Sequence, residues 1–243
     1  MMDYSSYEKP EEYWKKKSKK TKLVLIVQVL LGIPKSILFN LHYFGLKGIK
    51  LPVLVSSKTK MRKMKGSILI NAPYKTGMIK LGFQAPEMYD NSKLSFVWIN
   101  DGLVEFENTA SIRNGSVIRN YGHLIMGNKF HISAPSRIIC YKHIRFGSNV
   151  LIGWDCEFAD GDAHKIYDST DFDKKERKNV NKPIIIGDRV WFSAHVKTLK
   201  GVIVGNDTVI AEGTVLSKSF KENNIVVGGN PPKILKKDIV WEI

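Results

Sequence analysis

Apolar residues recur at every sixth position from Phe106 onward. Phe106, Ile112, Ile118 and Leu124 form one run, and after a two-residue shift Met126, Ile132, Ile138 and Ile144 form another. A second two-residue shift leads to Phe146, Ile152 and Phe158, and the sixes return at Ile186, Phe192, Thr198, Val204, Ile210 and Leu216. A companion series, including Val150, Cys156, Val190, Val196 and Val202, sits four residues after many of these. A period of six fits neither the α-helix, at about 3.6, nor the plain strand, at about 2.0. It fits a parallel β-helix built of hexapeptides, each making one flat face and a turn, with three faces closing a coil.

The predicted coils are eighteen residues long, or twenty where a shift adds two. Stacking them by those lengths aligns Phe106, Met126, Phe146, Ile186 and Val204 on one face. Ile112, Ile132, Ile152, Phe192 and Ile210 fall on the next, and Ile118, Ile138, Phe158, Thr198 and Leu216 on the third. The expected class is all-β. Residues 106–220 form the β-helix, and residues 51–105 form irregular first coils with an insertion near residues 84–92. The ends of such a stack need caps. Residues 221–243 are expected to cap the last coil, and the spacing in "PKILKKDIVWEI" predicts a short C-terminal helix there.

Residues 1–50 read as a helical segment. Lys15, Lys16, Lys17, Lys19, Lys20 and Lys22 precede the apolar run "LVLIVQVLLGI", and Pro34 and Lys35 follow it. No small-residue cleavage site follows the run, unlike in a signal peptide. The run is about half of the roughly 20 residues needed to span a bilayer. Two readings stay open: an interfacial helix on an anionic membrane, or a helix packed on the domain with a solvated lysine face.

The ladder breaks at "FADGDAHKIYD". Continuing the period would turn Ile166, Phe172 and Lys178 inward, and a buried, uncompensated lysine is costly. The chain is therefore expected to leave the scaffold over residues 159–184 and return to the same face. Long excursions from a rigid scaffold are where sites concentrate. His164 lies at the start of this loop, and an imidazole titrating near about pH 6.5 can take a proton from a hydroxyl. Asp160 and Asp162 stand close enough in sequence to orient that ring or to bind a polar substrate. A solvated Asp/Gly turn with an incidental histidine explains the same residues. A calcium loop lacks its closing glutamate.

Composition narrows the partners. The chain has 243 residues, 43% of them hydrophobic, and a formal net charge of +15, which favours anionic partners. No helix-turn-helix, zinc-finger or RNA-binding signature accompanies that charge, so nucleic acid is not expected. The two cysteines, Cys140 and Cys156, have no metal-like spacing and read as small buried residues in a reducing compartment.

Two stretches carry a resemblance to a known family. "IIIGDRVWFSAHVKTLKGVIVGNDTVIAEGTVLSKSF" followed by "VVGGNPPKIL" resembles the closing coils of hexapeptide-repeat acyltransferases, and "DGDAHKIYD" resembles the histidine loop of the branch that O-acetylates sugars of capsular polysaccharide or lipopolysaccharide. The resemblance covers roughly residues 51–239. It implies a left-handed β-helix, a homotrimer, and acetyl-CoA as co-substrate in a groove between neighbouring β-helices. It also implies that His164 is the general base for direct transfer to a sugar or polysaccharide hydroxyl, with no metal. By motif match, the cofactor residues are Trp191, Ser193 (where the family has glycine), Gly229, Asn230, Pro231 and Lys233. A cytoplasmic protein, peripheral at the inner membrane face, is expected. Three alternatives remain: an N-acetyltransferase acting on an amino sugar nucleotide, a zinc hydratase using histidines such as the stacked pair His123 and His143, and a non-catalytic β-helix scaffold at the membrane.

Overall fold

The structure, a computed structural model, describes residues 19–84 and 88–242. Three parallel sheets run along it. The first face holds β1 (Val53–Val55), β4 (Ile79–Phe83), β7 (Ala110–Arg113), β10 (Phe130–Ile132), β13 (Leu151–Ile152), β16 (Trp191–Phe192), β19 (Val209–Ile210) and β21 (Val226–Gly228). The second holds β2 (Lys60–Met64), β5 (Val97–Asn100), β8 (Val117–Asn120), β11 (Arg137–Cys140), β14 (Glu157–Ala159), β17 (Lys197–Thr198) and β20 (Val215–Leu216). The third holds β3 (Ser67–Ile70), β6 (Leu103–Phe106), β9 (His123–Met126), β12 (His143–Phe146), β15 (Ile184–Ile186) and β18 (Ile203–Val204). Neighbours along each sheet are three strands apart for most of its length, so every coil contributes one strand to each face.

The register reproduces the columns read from the sequence. Phe106 pairs Met126, which pairs Phe146, then Ile186 and Val204. Ile112, Ile132, Ile152, Phe192 and Ile210 align on the first face, and Ile118, Ile138, Phe158, Thr198 and Leu216 on the second. The columns continue into the early coils, where Ile70 pairs Phe106, Leu81 pairs Ile112 and Trp98 pairs Ile118. Bulges between Met61 and Lys63 and between Leu81 and Phe83 hide this regularity from a strict six-residue count. Corners are tight: a Cβ on Gly127 would lie 2.3 Å from the carbonyl carbon of Gly147 in the next coil.

At the N-terminal end, α1 (Lys19–Phe44) runs unbroken through Pro34, followed by a 3-10 helix (Gly45–Lys50). The helical segment expected in residues 1–50 is present over its described part. Pro34 sits on the exposed side, where a carbonyl that loses its helical partner remains open to solvent. Lys15, Lys16 and Lys17 lie outside the described residues. The helix blunts the free edge of β1 with polar side chains that imitate a strand. Asn40 donates from Nδ2 to the Val53 carbonyl (2.6 Å) and accepts the Val53 N–H at Oδ1 (3.1 Å). Ser36 Oγ accepts the Val55 N–H (2.8 Å), and Lys35 Nζ donates to the Ser57 and Thr59 carbonyls. Close approach requires Gly32, whose Cβ would lie 2.4 Å from the Val55 oxygen. Asn40 is fully buried, so Asn40→Ala would orphan two backbone groups and is expected to cost about 2–4 kcal/mol. Denaturant midpoints at unchanged slope would report this, and a loss within error would mean water replaces the amide.

The C-terminal cap is not the expected helix. After β21 the chain reverses at Gly229 (φ +99°), and β22 (Lys233–Lys236) pairs antiparallel with β21, with Val227 opposite Ile234. Consecutive Pro231 and Pro232 supply no amide donors, and Ile234 packs against the core. Beyond it Trp241 is anchored at Arg189, its Nε1 donating to the Arg189 carbonyl (2.9 Å) while Arg189 donates back to the Trp241 carbonyl (2.9 Å).

Candidate functional site

The polar loop leaves the second face after Ala159 and rejoins the third at Ile184, so it does not return to the face it left but replaces a corner between two faces. Ile166 and Phe172, inward in the unbroken period, are exposed. The first loop residue, Asp160, turns inward and is fully buried. Its carboxylate accepts the backbone N–H groups of Tyr141 (2.6 Å), Lys142 (2.8 Å) and His143 (2.6 Å) from the preceding coil. These bonds commit Asp160 to the β11–β12 corner rather than to His164.

Asp162 and His164 stand beyond that anchor. Asn179, itself buried, donates from Nδ2 to Asp162 Oδ2 (2.7 Å) and to the His164 carbonyl (2.7 Å), and its Oδ1 accepts the Ile166 N–H (2.8 Å). The return limb adds the Lys178 N–H to the Ile166 carbonyl (2.8 Å). The backbone at His164 is thus held while its ring stays exposed. Lys200 donates to Asp162 Oδ2 (2.5 Å), and the Lys200 ammonium, with Asn179, holds the Asp162 carboxyl below the usual carboxylate range.

The cysteines stay out of the chemistry. Burial pushes Cys140 up to about 12, helped by the Asp160 charge, and Cys156 up to about 11, so both are neutral thiols near pH 7. His123 and His143 do stack in adjacent coils, with ring centroids 5.3 Å apart, but His123 Nε2 faces Glu105 Oε2 at 2.9 Å. Among the described residues no group of three histidine, cysteine or carboxylate side chains could hold a metal ion.

The cofactor residues suggested by resemblance cluster elsewhere. Ser193 follows β16 at the corner between the first and second faces. Gly229 lies beyond the next coil at the same corner, its N–H donating to Thr214 Oγ1 (3.2 Å) and its carbonyl accepting the Val215 N–H (3.3 Å). Asn230, Pro231 and Lys233 continue from there and are exposed. Trp191 points outward from β16 with its ring 6.0 Å from that of Trp241. His164 stands at the opposite edge of the second face, where that face meets the third. A single chain does not bring the two groups to one corner.

Sequence reasoning missed Asn179, Lys200 and the buried role of Asp160. A signal for the last was present. Asn100, Asn120, Cys140 and Asp160 are spaced by twenty at the same corner. Asn120 Nδ2 donates to Asn100 Oδ1 (2.9 Å), and each asparagine accepts an N–H from its own turn, at Gly102 or Gly122. Asp160 closes this inward polar column.

No family model matches the chain. A Staphylococcus aureus (strain Mu50) protein named "Putative acetyltransferase SAV2555" is 30% identical over 111 residues, covering 39% of this chain and 55% of that protein. The polysialic acid O-acetyltransferase of Escherichia coli O1:K1 is 31% identical over 144 residues, covering 57% of this chain and 44% of that protein. The chain thus spans about half the length of these curated relatives. By fold, it matches the crystal structure of the polySia-specific acetyltransferase NeuO with a TM-score of 0.51 at 22% identity, over 79% of this chain and 82% of that one. The chain resembles the hexapeptide-repeat acetyltransferases. The coil they share is the left-handed parallel β-helix.

Proposed function

We propose that the protein is an acetyl-CoA-dependent O-acetyltransferase that modifies a sugar hydroxyl of a surface polysaccharide or its lipid-linked precursor. The observation that carries this reading is the His164 ring, exposed on a loop that Asn179 holds at the His164 carbonyl, the Ile166 N–H and the Asp162 carboxylate. In the proposed reaction an imidazole nitrogen of His164 takes the proton of the acceptor hydroxyl. The oxygen forms a bond to the thioester carbonyl, the carbon–sulfur bond breaks, and the proton passes to the departing CoA thiolate. Asp162 would meet the acceptor or steady the loop through Asn179. Trp191, Ser193, Gly229, Asn230, Pro231 and Lys233 would line the CoA groove, with the Lys233 ammonium serving a phosphate. Because these residues and His164 occupy opposite edges of the second face, a neighbouring copy would complete each site, as in a homotrimer.

Thermal unfolding with and without acetyl-CoA tests the donor. Saturating acetyl-CoA, at a hundred times its dissociation constant, is expected to stabilise the native protein by about 2.7 kcal/mol. No shift at millimolar acetyl-CoA would defeat the transferase reading in favour of a scaffold.

The same acceptor class accounts for α1. Leu23, Val27, Leu30, Leu31, Leu38 and Leu41 form one exposed apolar stripe facing away from the coil. An 18-residue window of the segment Leu23–Lys50 has a mean hydropathy of 1.9, enough by length and composition alone to cross a membrane, yet Ser36 and Asn40 dock the helix along the first coil. Exposed Lys47 and Lys50 follow the stripe, and exposed Lys60 and Arg62 lie on β2, which His42 reaches through the Met64 carbonyl. Apolar stripe and flanking cations suit an anionic membrane interface, which supports the reading of a protein peripheral at the inner membrane face. Leu30→Asp with Leu38→Asp is expected to release it from anionic vesicles, and deleting residues 1–22 to weaken binding at physiological salt. Unchanged vesicle binding, or a change in oligomer mass instead, would assign the stripe to contacts between copies.

A further inference from the structure

A cleft of about 560 Å³ opens on the first face between α1 and strands β4, β7 and β10. Leu25 and Val29 of α1 form its apolar wall. Its floor carries an outward row in which Lys80 pairs Ser111 and Ser111 pairs His131, with Arg113 and Lys129 beside it. Arg113 donates to the Gln84 carbonyl (3.0 Å), and Gln84 is tied to Gln28 of α1 by two bonds of 3.3 Å. The helix, the loop at Gln84 and the arginine are therefore one assembly.

The charges in this cleft are unbalanced. Among the described residues no carboxylate forms an ion pair with Lys80, Arg113, Lys129 or His131. Burial lowers the Arg113 pKa, and burial together with the Arg113 charge pushes His131 down to about 4. His131 is then neutral near pH 7 and offers a hydrogen bond rather than a charge. A desolvated cation without a counter-charge is unfavourable, and an oxyanion entering the cleft would relieve it. Three permanent cations around one cavity match a group carrying more than one negative charge, and guanidinium and ammonium donors suit phosphate oxygens.

We propose that this cleft is a diphosphate-binding subsite, distinct from the His164 loop, that anchors a diphosphate-bearing substrate through Arg113, Lys80 and Lys129. Only the source of that diphosphate rests on the acetyltransferase reading: CoA or a nucleotide-linked sugar.

Inorganic pyrophosphate titrated calorimetrically into the full-length protein tests the site without reference to activity. Saturable binding is expected, weakened about tenfold or more by Arg113→Gln and several-fold by Lys80→Gln, and unchanged by His164→Ala. Lys80 is exposed, so its variant remains informative if Arg113→Gln alters folding, which thermal midpoints would show. Competition then names the source: displacement of pyrophosphate by CoA, or by a nucleotide-diphosphate sugar, with that ligand's affinity also dependent on Arg113. Absence of saturable binding to the wild type, equal affinity in both variants, or displacement by neither ligand would overturn the proposal. Loss of the transferase reading, through absence of any stabilisation by acetyl-CoA, would leave pyrophosphate binding and its dependence on Arg113 untouched, so the two failures are distinguishable.

Discussion

Asp160→Ala is expected to destabilise the fold by on the order of 3–5 kcal/mol, a large part of the stability of a domain this size. The carboxylate is fully buried and takes three backbone N–H groups within 2.8 Å, all from the coil before it. Removing it leaves those donors in a corner sealed by Cys140 and the loop. Asp160→Asn sharpens the test. One amide oxygen can still accept a donor, but its NH2 must face another N–H, so most of the loss is expected to persist. Chemical denaturation of both variants reads this directly. If Asp160→Asn unfolds like wild type and only turnover falls, Asp160 acts on His164 and not on the corner.

His164→Ala is expected to lower turnover by about 10²–10⁴-fold while leaving acetyl-CoA binding and stability nearly unchanged, because the ring is exposed and its loop is held through backbone atoms. Asn179→Ala should also reduce turnover, and unlike His164→Ala should loosen the loop, seen as faster amide exchange around Ile166. Asp162→Asn should cost less than either, since Lys200 and Asn179 engage that carboxylate on the side given by the structure. Mixing His164→Ala subunits with subunits altered at Asn230 tests the shared site. Recovery of activity in mixed oligomers is expected, and none would place the whole site within one chain. Full activity in His164→Ala would remove the general-base assignment altogether.

Much of this architecture was legible because a β-helix repeats. Each coil meets the same geometry, so Phe106, Met126, Phe146 and Ile186 had to be apolar at spacings that stack them. The histidine loop was legible for the complementary reason: a lysine at Lys178 and the polar run around it could not occupy the inward positions. The early coils were harder to read because two bulges displace the count. The C-terminal element was misread because periodicity carries no information about edges. Helical spacing in the last residues yielded to Pro231, Pro232 and the open edge of β21, and Pro34 was tolerated because that side of α1 faces outward. The sequence by itself determined the three columns, the coil lengths and the exit of the loop, since each follows from burying one residue in six. Tertiary contacts alone turn Asp160 into the corner and His164 out, tie Asn179 to Asp162, His164 and Ile166, and bring Lys80, Arg113, Lys129 and His131 together beside α1. Those outcomes depend on which backbone donors and charges different coils bring to the same place, and one-dimensional spacing does not record the balance of burial and hydrogen bonding among them.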